Sequence, residues 1–194
     1  MPLPSLRIGL LGGSFNPAHA GHLHVSIEAM KRLKLDYVWW LVSPQNPLKP
    51  SKGMAAYAER FASALEITKG HRRIRVSDFE KQHGLFYTHA TLSAIKAKHK
   101  GTQFVWLMGA DNLASFHRWQ HWRDIIRIMP IAIFDRAPFS HTALRKKASI
   151  TFSKHRLKEC DIASLPTREG KWVYVLMRRH AASSTAIRTK KIRN

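Results

Sequence analysis

Cysteine, acidic residues and long apolar runs are all scarce in this sequence of 194 residues. Cys160 is the single cysteine, so no disulfide can form within the chain, which is typical of proteins in a reducing compartment. No apolar run approaches the roughly 18 residues that a membrane span requires. The run Ile8–Leu11 ends at two glycines and is too short for a signal peptide. We therefore expect a cytoplasmic protein without a membrane partner.

The shortage of acidic side chains leaves a strongly basic chain. Twelve acidic residues stand against 33 basic residues, which gives a formal net charge of +21. A positive field attracts nucleic acids, acidic membranes and phosphorylated metabolites alike, and a solvated basic surface is an equally simple interpretation. The charge alone identifies no partner, and nucleic-acid binding is not the function that we expect.

Apolar segments of strand length alternate along the chain with segments of helical periodicity. Strands are predicted at Leu6–Leu11, Tyr37–Val42, Ile74–Phe79, Gln103–Met108, Ile131–Asp135 and Trp172–Met177. Helices are predicted between them, including one through Leu23, Ile27 and Met30, one through Ala58, Phe61 and Leu65, and one that carries Trp119, Trp122 and Ile125. This order predicts an α/β fold, a Rossmann-like, doubly wound parallel sheet with helices on both faces. We expect a single domain over residues 1–194, with a variable basic segment at 137–170.

Three unusual segments each follow a predicted strand directly. They are residues 12–22, residues 109–111 and residues 183–188. Ligands of such sheets bind beyond the carboxyl ends of the strands, where the strand order changes direction. The three segments are therefore expected to meet at one edge of the sheet and to form a binding site there.

The first segment, GGSFNPAHAGH at residues 12–22, combines a glycine turn with two histidines at a predicted helix start. His19 and His22 would share one face of the first turn, where free N–H groups and the helix dipole favour phosphate. Imidazole N–H groups can add hydrogen bonds to phosphoryl oxygens. Two alternatives stay open: histidines that only bond the loop of a capped helix, and a zinc site with His24.

The other two segments have weaker signals. Residues 183–194 are predicted to form a short C-terminal helix whose start, Ser183 to Thr185, offers hydroxyls to phosphate while Arg188 offers a guanidinium one turn later. Ordinary helix capping is the alternative for both. Asp111 could accept a hydrogen bond from a ribose hydroxyl or cap a helix, and an exposed Trp119 or Trp122 would be a stacking platform.

Taken together, these segments resemble the nicotinate-nucleotide adenylyltransferases, a family within the H-x-G-H nucleotidyltransferase superfamily. The superfamily's two signatures are matched by residues 12–22 and by SSTAIR at 183–188. The narrower resemblance rests on PQNPLK at 44–49, YTHATL at 87–92 and GADNLASFHRW at 109–119. The matches follow the family's order from residue 8 to residue 188, with a gap over 137–180. The chain stops six residues after Arg188, whereas family members often continue with further helices.

The resemblance implies transfer of the adenylyl group of ATP to nicotinate mononucleotide, with Mg²⁺ bound by the nucleotide phosphates. It implies catalytic roles for His19, His22 and Arg188. It implies ATP contacts for Gly12, Gly13, Ser14, Phe15, His19, His22, Gly109, Asp111, Ser183, Ser184, Thr185 and Arg188. It implies nicotinate-nucleotide contacts for Ser14, Asn16, Lys49, Thr88, Trp119, Gln120 and Arg136, with the Trp119 indole stacked on the ring. No metal site made by the protein is implied.

Other functions fit parts of the same pattern. The acceptor could be nicotinamide mononucleotide or another phosphomonoester, since the two superfamily signatures alone fit pantetheine-phosphate adenylyltransferases and cytidylyltransferases as well. A basic nucleic-acid-binding protein on the same fold, without activity, is the alternative from a different class. A homo-oligomer is compatible with the sequence, which contains nothing that predicts or excludes one.

Overall fold

A computed structural model describes residues 5–45, 53–135 and 140–177, and these residues contain a six-stranded sheet in which every pair of neighbours is parallel. The strands are β1 (Arg7–Gly13), β2 (Tyr37–Val42), β3 (Ile74–Ser77), β4 (Gln103–Gly109), β5 (Ile131–Phe134) and β6 (Trp172–Val175). Their order across the sheet is β3-β2-β1-β4-β5-β6. The expected doubly wound parallel sheet is therefore confirmed.

The strand order changes direction between β1 and β4. The chain continues from β1 to β2 on one side, and from β4 to β5 on the other. The segments that leave the carboxyl ends of β1 and β4 consequently diverge and leave a crevice between them. This geometry places the described parts of the expected site, after Gly13 and after Gly109, side by side.

Helices cover both faces of the sheet. The α-helices are α1 (Ala20–Arg32), α2 (Tyr57–Thr68), α3 (Phe79–Gln82), α4 (Thr88–Lys98), α5 (Ala110–Ser115), α6 (Trp122–Ile128), α7 (Ser140–Leu144) and α8 (Lys147–Thr151), and 3₁₀ turns lie at Phe116–Arg118, Ser153–His155 and Glu159–Thr167. One core cluster joins α1, α2 and the turn at 159–167 to one face, and a second joins α4 to α8 to the other. No helix among the described residues is long and apolar enough to cross a membrane.

Burial on both faces explains why the central strands are apolar throughout. In β4 all residues from Phe104 to Gly109 are buried, with only the first residue partly accessible. Such a strand has no alternation of apolar and polar residues, because helices pack on each side. The bounds predicted for β2 are confirmed, whereas β3 and β6 end earlier than expected, at Ser77 and Val175.

The helices predicted through Ile27 and Leu65 are confirmed as α1 and α2. Both of these side chains are exposed, because the two helices turn small residues, such as Ala29 and Ala64, toward the sheet. One expectation about helices is wrong. Trp119 does not share a helix with Trp122. A 3₁₀ turn ends before Trp119, and His121 adopts a left-handed conformation with φ of 50°, so a new helix begins only at Trp122.

Candidate active site

The turn after β1 approaches a neighbouring strand too closely for any side chain at its start. A Cβ atom on Gly12 would lie 2.2 Å from the ring of Trp106 in β4. Glycine is required there because the indole occupies the space of a side chain. The backbone at Gly12 thus lies directly on the Trp106 ring, and both residues line the cleft described below.

The start of α1 is capped by its own histidines. His19 is 3% exposed, and its Nδ1 atom accepts a hydrogen bond from the N–H of Gly21 at 3.1 Å. The Nδ1 atom of His22 accepts from the N–H of His19 at 3.3 Å, and the two rings lie 3.9 Å apart. A neutral imidazole that accepts at Nδ1 carries its proton on Nε2. The capping bonds therefore make Nε2 the donor nitrogen of both rings.

The capping role that the sequence left as an alternative is thus present. Each cap uses one ring nitrogen, and neither His19 nor His22 is among the residues that line the cleft described below. The zinc alternative has no support from the arrangement of ligands. Among the described residues, no group of three or more histidine, cysteine or acidic side chains is placed to hold a metal ion.

A buried arginine, which the sequence analysis missed, fixes the loops around this turn. Arg60 of α2 is 2% exposed, and its guanidinium donates to the carbonyl oxygens of Ser14, Ser43, Pro44 and Ala55 at 2.6 to 3.1 Å. A single side chain therefore joins the loops that follow β1 and β2 to the start of α2. Burial lowers the pKa of Arg60, and its four carbonyl partners offset that loss of hydration.

Asn16 performs a similar positioning task. Its side-chain amide donates to the carbonyl of Gly53 at 3.0 Å and accepts from the N–H of Ala55 at 3.2 Å. Phe15, with φ of 46°, turns its ring inward and stacks on Trp40 at 4.9 Å. Neither residue lines the cleft, so the structure places both beneath the turn that carries Ser14.

A cleft of about 230 Å³ opens beside this turn, across the carboxyl ends of β1, β2 and β4. Its lining residues are Gly12, Gly13, Ser14, Ser43, Glu80, Phe86, Tyr87, Thr88, Trp106, Asn112, Arg118, Trp119 and Gln120. Six of these were expected from the sequence: Gly12, Gly13, Ser14, Thr88, Trp119 and Gln120. The cleft therefore unites residues that are separated by more than 100 positions in the chain.

Three aromatic side chains, Phe86, Tyr87 and Trp119, form what we call the aromatic wall of the cleft. Phe86 and Tyr87 are about half exposed, which is unusual for large apolar side chains so close together. Trp119 is half-buried and meets Phe116 edge to face at 5.3 Å. Trp122, by contrast, is buried in the core. Of the two tryptophans considered as stacking platforms, only Trp119 lies in the cleft.

The first turn of α4 borders the same space. Thr88 is the first residue of α4, and the earliest helical hydrogen bond at this end runs from Thr91 to Tyr87. The N–H groups of a first helical turn have no partner within the helix, and they attract negative charge. Together with Thr88 and Gln120, this end of α4 presents polar groups beside the aromatic wall.

Glu80 is a second residue that the sequence analysis missed. Its side chain lies in the cleft, yet the residue is only 7% exposed. Burial raises the pKa of its carboxyl group to about 7, although the neighbouring hydroxyls of Thr91 and Ser43 act in the opposite direction. The hydroxyl of Thr91 donates to Oε1 at 3.1 Å. Neither buried residue could be found by composition, since charged side chains ordinarily indicate surface.

Three buried polar atoms without partners among the described residues lie in this cleft, whereas others, on Tyr57, Gln103 and His117, lie outside its lining. Ser14 Oγ, Glu80 Oε2 and Trp106 Nε1 have no hydrogen-bond partner within the described ranges, and all three residues line the cleft. Buried polar groups are almost always paired in folded proteins, since leaving one unpaired costs about 1–3 kcal/mol. Their concentration at one place indicates a binding site for a polar ligand.

The remaining expected residues divide into two groups. Asp111 lies exposed in the first turn of α5, outside the lining of the cleft, which Asn112 enters instead. Gly109 ends β4 beside it. Lys49, Arg136, Ser183, Ser184, Thr185 and Arg188 lie outside the described residues, as does the helix expected at 183–194. Nothing in the structure bears on those assignments.

Comparison with known proteins covers nearly the whole chain. The model of the cytidylyltransferase-like family matches residues 10–190. A protein of Methylorubrum extorquens, named probable nicotinate-nucleotide adenylyltransferase, is 46% identical over 186 residues, which are 95% of this chain and 100% of the relative. A protein of Erythrobacter litoralis with the same name is 48% identical over 168 residues, which are 87% and 74% of the two chains.

Solved structures agree in fold. The nicotinic acid mononucleotide adenylyltransferase of Plasmodium falciparum, in its complex with NaAD, superposes with a TM-score of 0.71 over 95% of this chain and 83% of that chain. The same enzyme complexed with APC gives a TM-score of 0.69. At 16% sequence identity, this likeness concerns the fold alone.

Proposed function

This chain belongs to the cytidylyltransferase-like family and, within it, to the nicotinate-nucleotide adenylyltransferases, and from that premise we propose that it transfers the adenylyl group of ATP to nicotinate mononucleotide. The products are nicotinate adenine dinucleotide and pyrophosphate. One observation carries the proposal: a helix start capped by two histidines stands beside a cleft with an aromatic wall, at the carboxyl ends of β1 and β4. A phosphate site and a ring site are thereby adjacent.

The reaction is an in-line displacement at phosphorus. A phosphate oxygen of the mononucleotide attacks the α-phosphorus of ATP, the bond from that phosphorus to the bridging oxygen breaks, and pyrophosphate leaves with the electron pair. No covalent intermediate with the protein is needed. Catalysis then consists of positioning the two nucleotides and stabilising negative charge on the phosphoryl oxygens.

His19 and His22 are assigned that charge stabilisation. Their Nδ1 atoms are engaged by the capping bonds, so Nε2 is the donor nitrogen of each ring at the start of α1. Gly12, Gly13 and Ser14 let the substrate phosphates approach the backbone. The assignments of Arg188, Ser183, Ser184 and Thr185 to the leaving pyrophosphate, of Asp111 to the adenosine ribose and of Gly109 to ATP rest on the sequence.

The aromatic wall is assigned to the nicotinate ring. Trp119 stacks on the ring, while N–H groups near Thr88 and Gln120 bind its carboxylate. Phe15 and Asn16 act from beneath the turn by holding its conformation. Lys49 and Arg136 remain assigned to the nicotinate nucleotide by sequence alone.

Magnesium is expected to enter with ATP. The described side chains offer no acidic cluster for it, which suits a cation held mainly by phosphate oxygens and water. When bound there it neutralises charge on the triphosphate. The chain's own contribution is to hold the phosphates against the start of α1.

The test is an assay of product formation. Purified protein is mixed with Mg-ATP and, separately, with nicotinate mononucleotide, nicotinamide mononucleotide and phosphopantetheine, and both pyrophosphate and adenylylated product are measured. We expect product from the nicotinate nucleotide well above the others. Preference for another acceptor would overturn the assignment of the aromatic wall, and absence of pyrophosphate from a folded sample would overturn the proposed reaction.

A further inference from the structure

Glu80 is the one acidic side chain among the residues that line the cleft. Its position is fixed by Thr91, whose hydroxyl contacts both Glu80 Oε1 at 3.1 Å and the carbonyl of Tyr87 at 3.3 Å. The carboxyl group therefore lies beside the first turn of α4, next to the aromatic wall. Its other oxygen, Oε2, has no hydrogen-bond partner within the described part of the chain.

This placement conflicts with an anionic ring substituent. A nicotinate carboxylate held near Thr88 would lie in the same cleft as Glu80, and two buried carboxylates repel each other. One proton resolves the conflict, because a neutral carboxyl group does not repel the carboxylate. The carboxamide ring carries no negative charge at its substituent, so an ionised Glu80 does not repel it.

Resting on the function proposed above, we propose that Glu80 is a specificity-determining residue: its protonated form admits the carboxylate ring of the nicotinate nucleotide, and its ionised form favours the carboxamide ring of the nicotinamide nucleotide. The choice between the two rings then depends on pH, and the nicotinate nucleotide is preferred on the acidic side.

The pKa of Glu80 lies in the pH range in which the proposed change of preference would be measured. Burial raises it to about 7, so the carboxyl group is mostly protonated below neutrality and mostly ionised above it. Other charged or titratable groups near it are Asp78 beside it, Tyr57 and Arg60 on α2, and Arg118 across the cleft. The pKa of Tyr57 is raised to about 12 by burial and Asp78. Lys81, next to Glu80, lies over the Tyr57 ring, and His89 in the first turn of α4 faces His121. Thr91 on α4 and Ser43 after β2 contribute hydroxyls.

The sign of the effect follows from linkage. An anion bound beside Glu80 raises its pKa further, so the complex holds the proton at pH values where the free protein has lost it. Above neutrality, binding of the nicotinate nucleotide must take up a proton, and affinity falls by up to about tenfold per pH unit. The nicotinamide nucleotide has no such requirement, and its affinity should not fall in the same way.

The experiment measures kcat/KM for each of the two mononucleotides from about pH 6 to about pH 9. The quantity compared across this range is the ratio of the two values. Both carry the same ribose phosphate, so its ionisation cancels in the ratio. We expect the preference for the nicotinate nucleotide to fall at least about tenfold across this range. Calorimetry in buffers of different ionisation enthalpy gives a second readout: binding of the nicotinate nucleotide should take up a proton above neutrality.

Three variants separate a role in specificity from one in folding. Glu80→Gln keeps a donor at that position and should make the ratio independent of pH and abolish proton uptake. Thr91→Val removes a bond that favours the ionised form, so the fall should move to higher pH. Glu59→Gln, at an exposed position on α2, should behave as the parent protein. If Glu80→Gln fails to fold, the pH dependence of the ratio in the parent protein and in Thr91→Val still tests the proposal.

The outcomes distinguish the two proposals. Turnover of the nicotinate nucleotide with a ratio that does not change with pH, or proton uptake that persists in Glu80→Gln, would overturn the role of Glu80 alone. Absence of turnover and of binding with either mononucleotide, at every pH, would overturn the proposed function together with it.

Discussion

The turn between β1 and α1 and the opposite side of the cleft differ in where their polar groups find partners. Around the turn the partners are protein atoms: Arg60 bonds four carbonyls, and His19 and His22 cap the helix. On the other side, Glu80 Oε2 has no partner among the described residues, and neither have Ser14 Oγ and Trp106 Nε1, which lie where the two sides meet. The turn is thus shaped before a substrate arrives, whereas the aromatic side is completed only by a ligand.

This difference predicts distinct consequences of substitution. Changes around the turn should affect folding or the chemical step, because its geometry is built into the protein. Changes at the aromatic wall should affect substrate affinity, because its missing contacts are supplied by the ring. A substitution around the turn that changes only substrate affinity would contradict this comparison. So would a substitution at the aromatic wall that changes only folding or the chemical step.

The largest effect is expected at Arg60. Arg60→Met removes the donor that four carbonyl oxygens share in a buried position, so the free energy of unfolding should fall by about 3 kcal/mol or more. Denaturant unfolding measures it, with Arg72→Met at an exposed position as control. A loss no greater than in the control would show that the loops hold their shape without Arg60.

The next effect is on the chemical step. His22→Ala should lower kcat about a hundredfold or more, the amount typical for loss of one donor to a developing negative charge. The lost capping bond should lower the free energy of unfolding by only about 1 kcal/mol. Steady-state kinetics with both substrates saturating measures the change.

His24→Ala, two positions further along α1, is the matched control and should keep its turnover. Near-normal kcat in His22→Ala would contradict the charge stabilisation assigned to it. A large fall in both variants would instead indicate that the helix start had been disturbed as a whole.

The two sides also differ in how far the sequence predicts them. The bounds of β2, the parallel order of the strands and the histidines at the start of α1 follow from apolar runs, glycines and spacing, which are local signals. The buried face of α2 does not follow from such signals. A charged residue such as Arg60 is assigned to the surface whenever a helix is read from the periodicity of its apolar residues. Its spacing with Ala64 and Thr68, four and eight positions on, was the available signal, since all three lie on the buried side.

The aromatic side depends on contacts that are distant in sequence. Trp119 was expected on a continuous helix with Trp122, and the left-handed His121 that separates them has no strong local signal. Glu80 gave none either, since its burial results from Thr91, Ser43 and the aromatic wall meeting around it. The sequence motifs predicted where this wall lies. The burial of Glu80 beside it, and the resulting rise in its pKa, could be found only from the tertiary structure.

The smallest effect is expected at Trp119, and it sharpens the comparison most directly. Stacking of an aromatic side chain on a heterocyclic ring contributes about 1–3 kcal/mol, so Trp119→Ala should raise KM for the nicotinate nucleotide about tenfold and leave KM for ATP and kcat nearly unchanged. Trp122→Ala is the contrasting variant: it empties a buried site, and should lower the free energy of unfolding by about 3–5 kcal/mol. If Trp119→Ala unfolds like Trp122→Ala, its edge-to-face contact with Phe116 is its main role, and the ring must be held by other residues of the cleft.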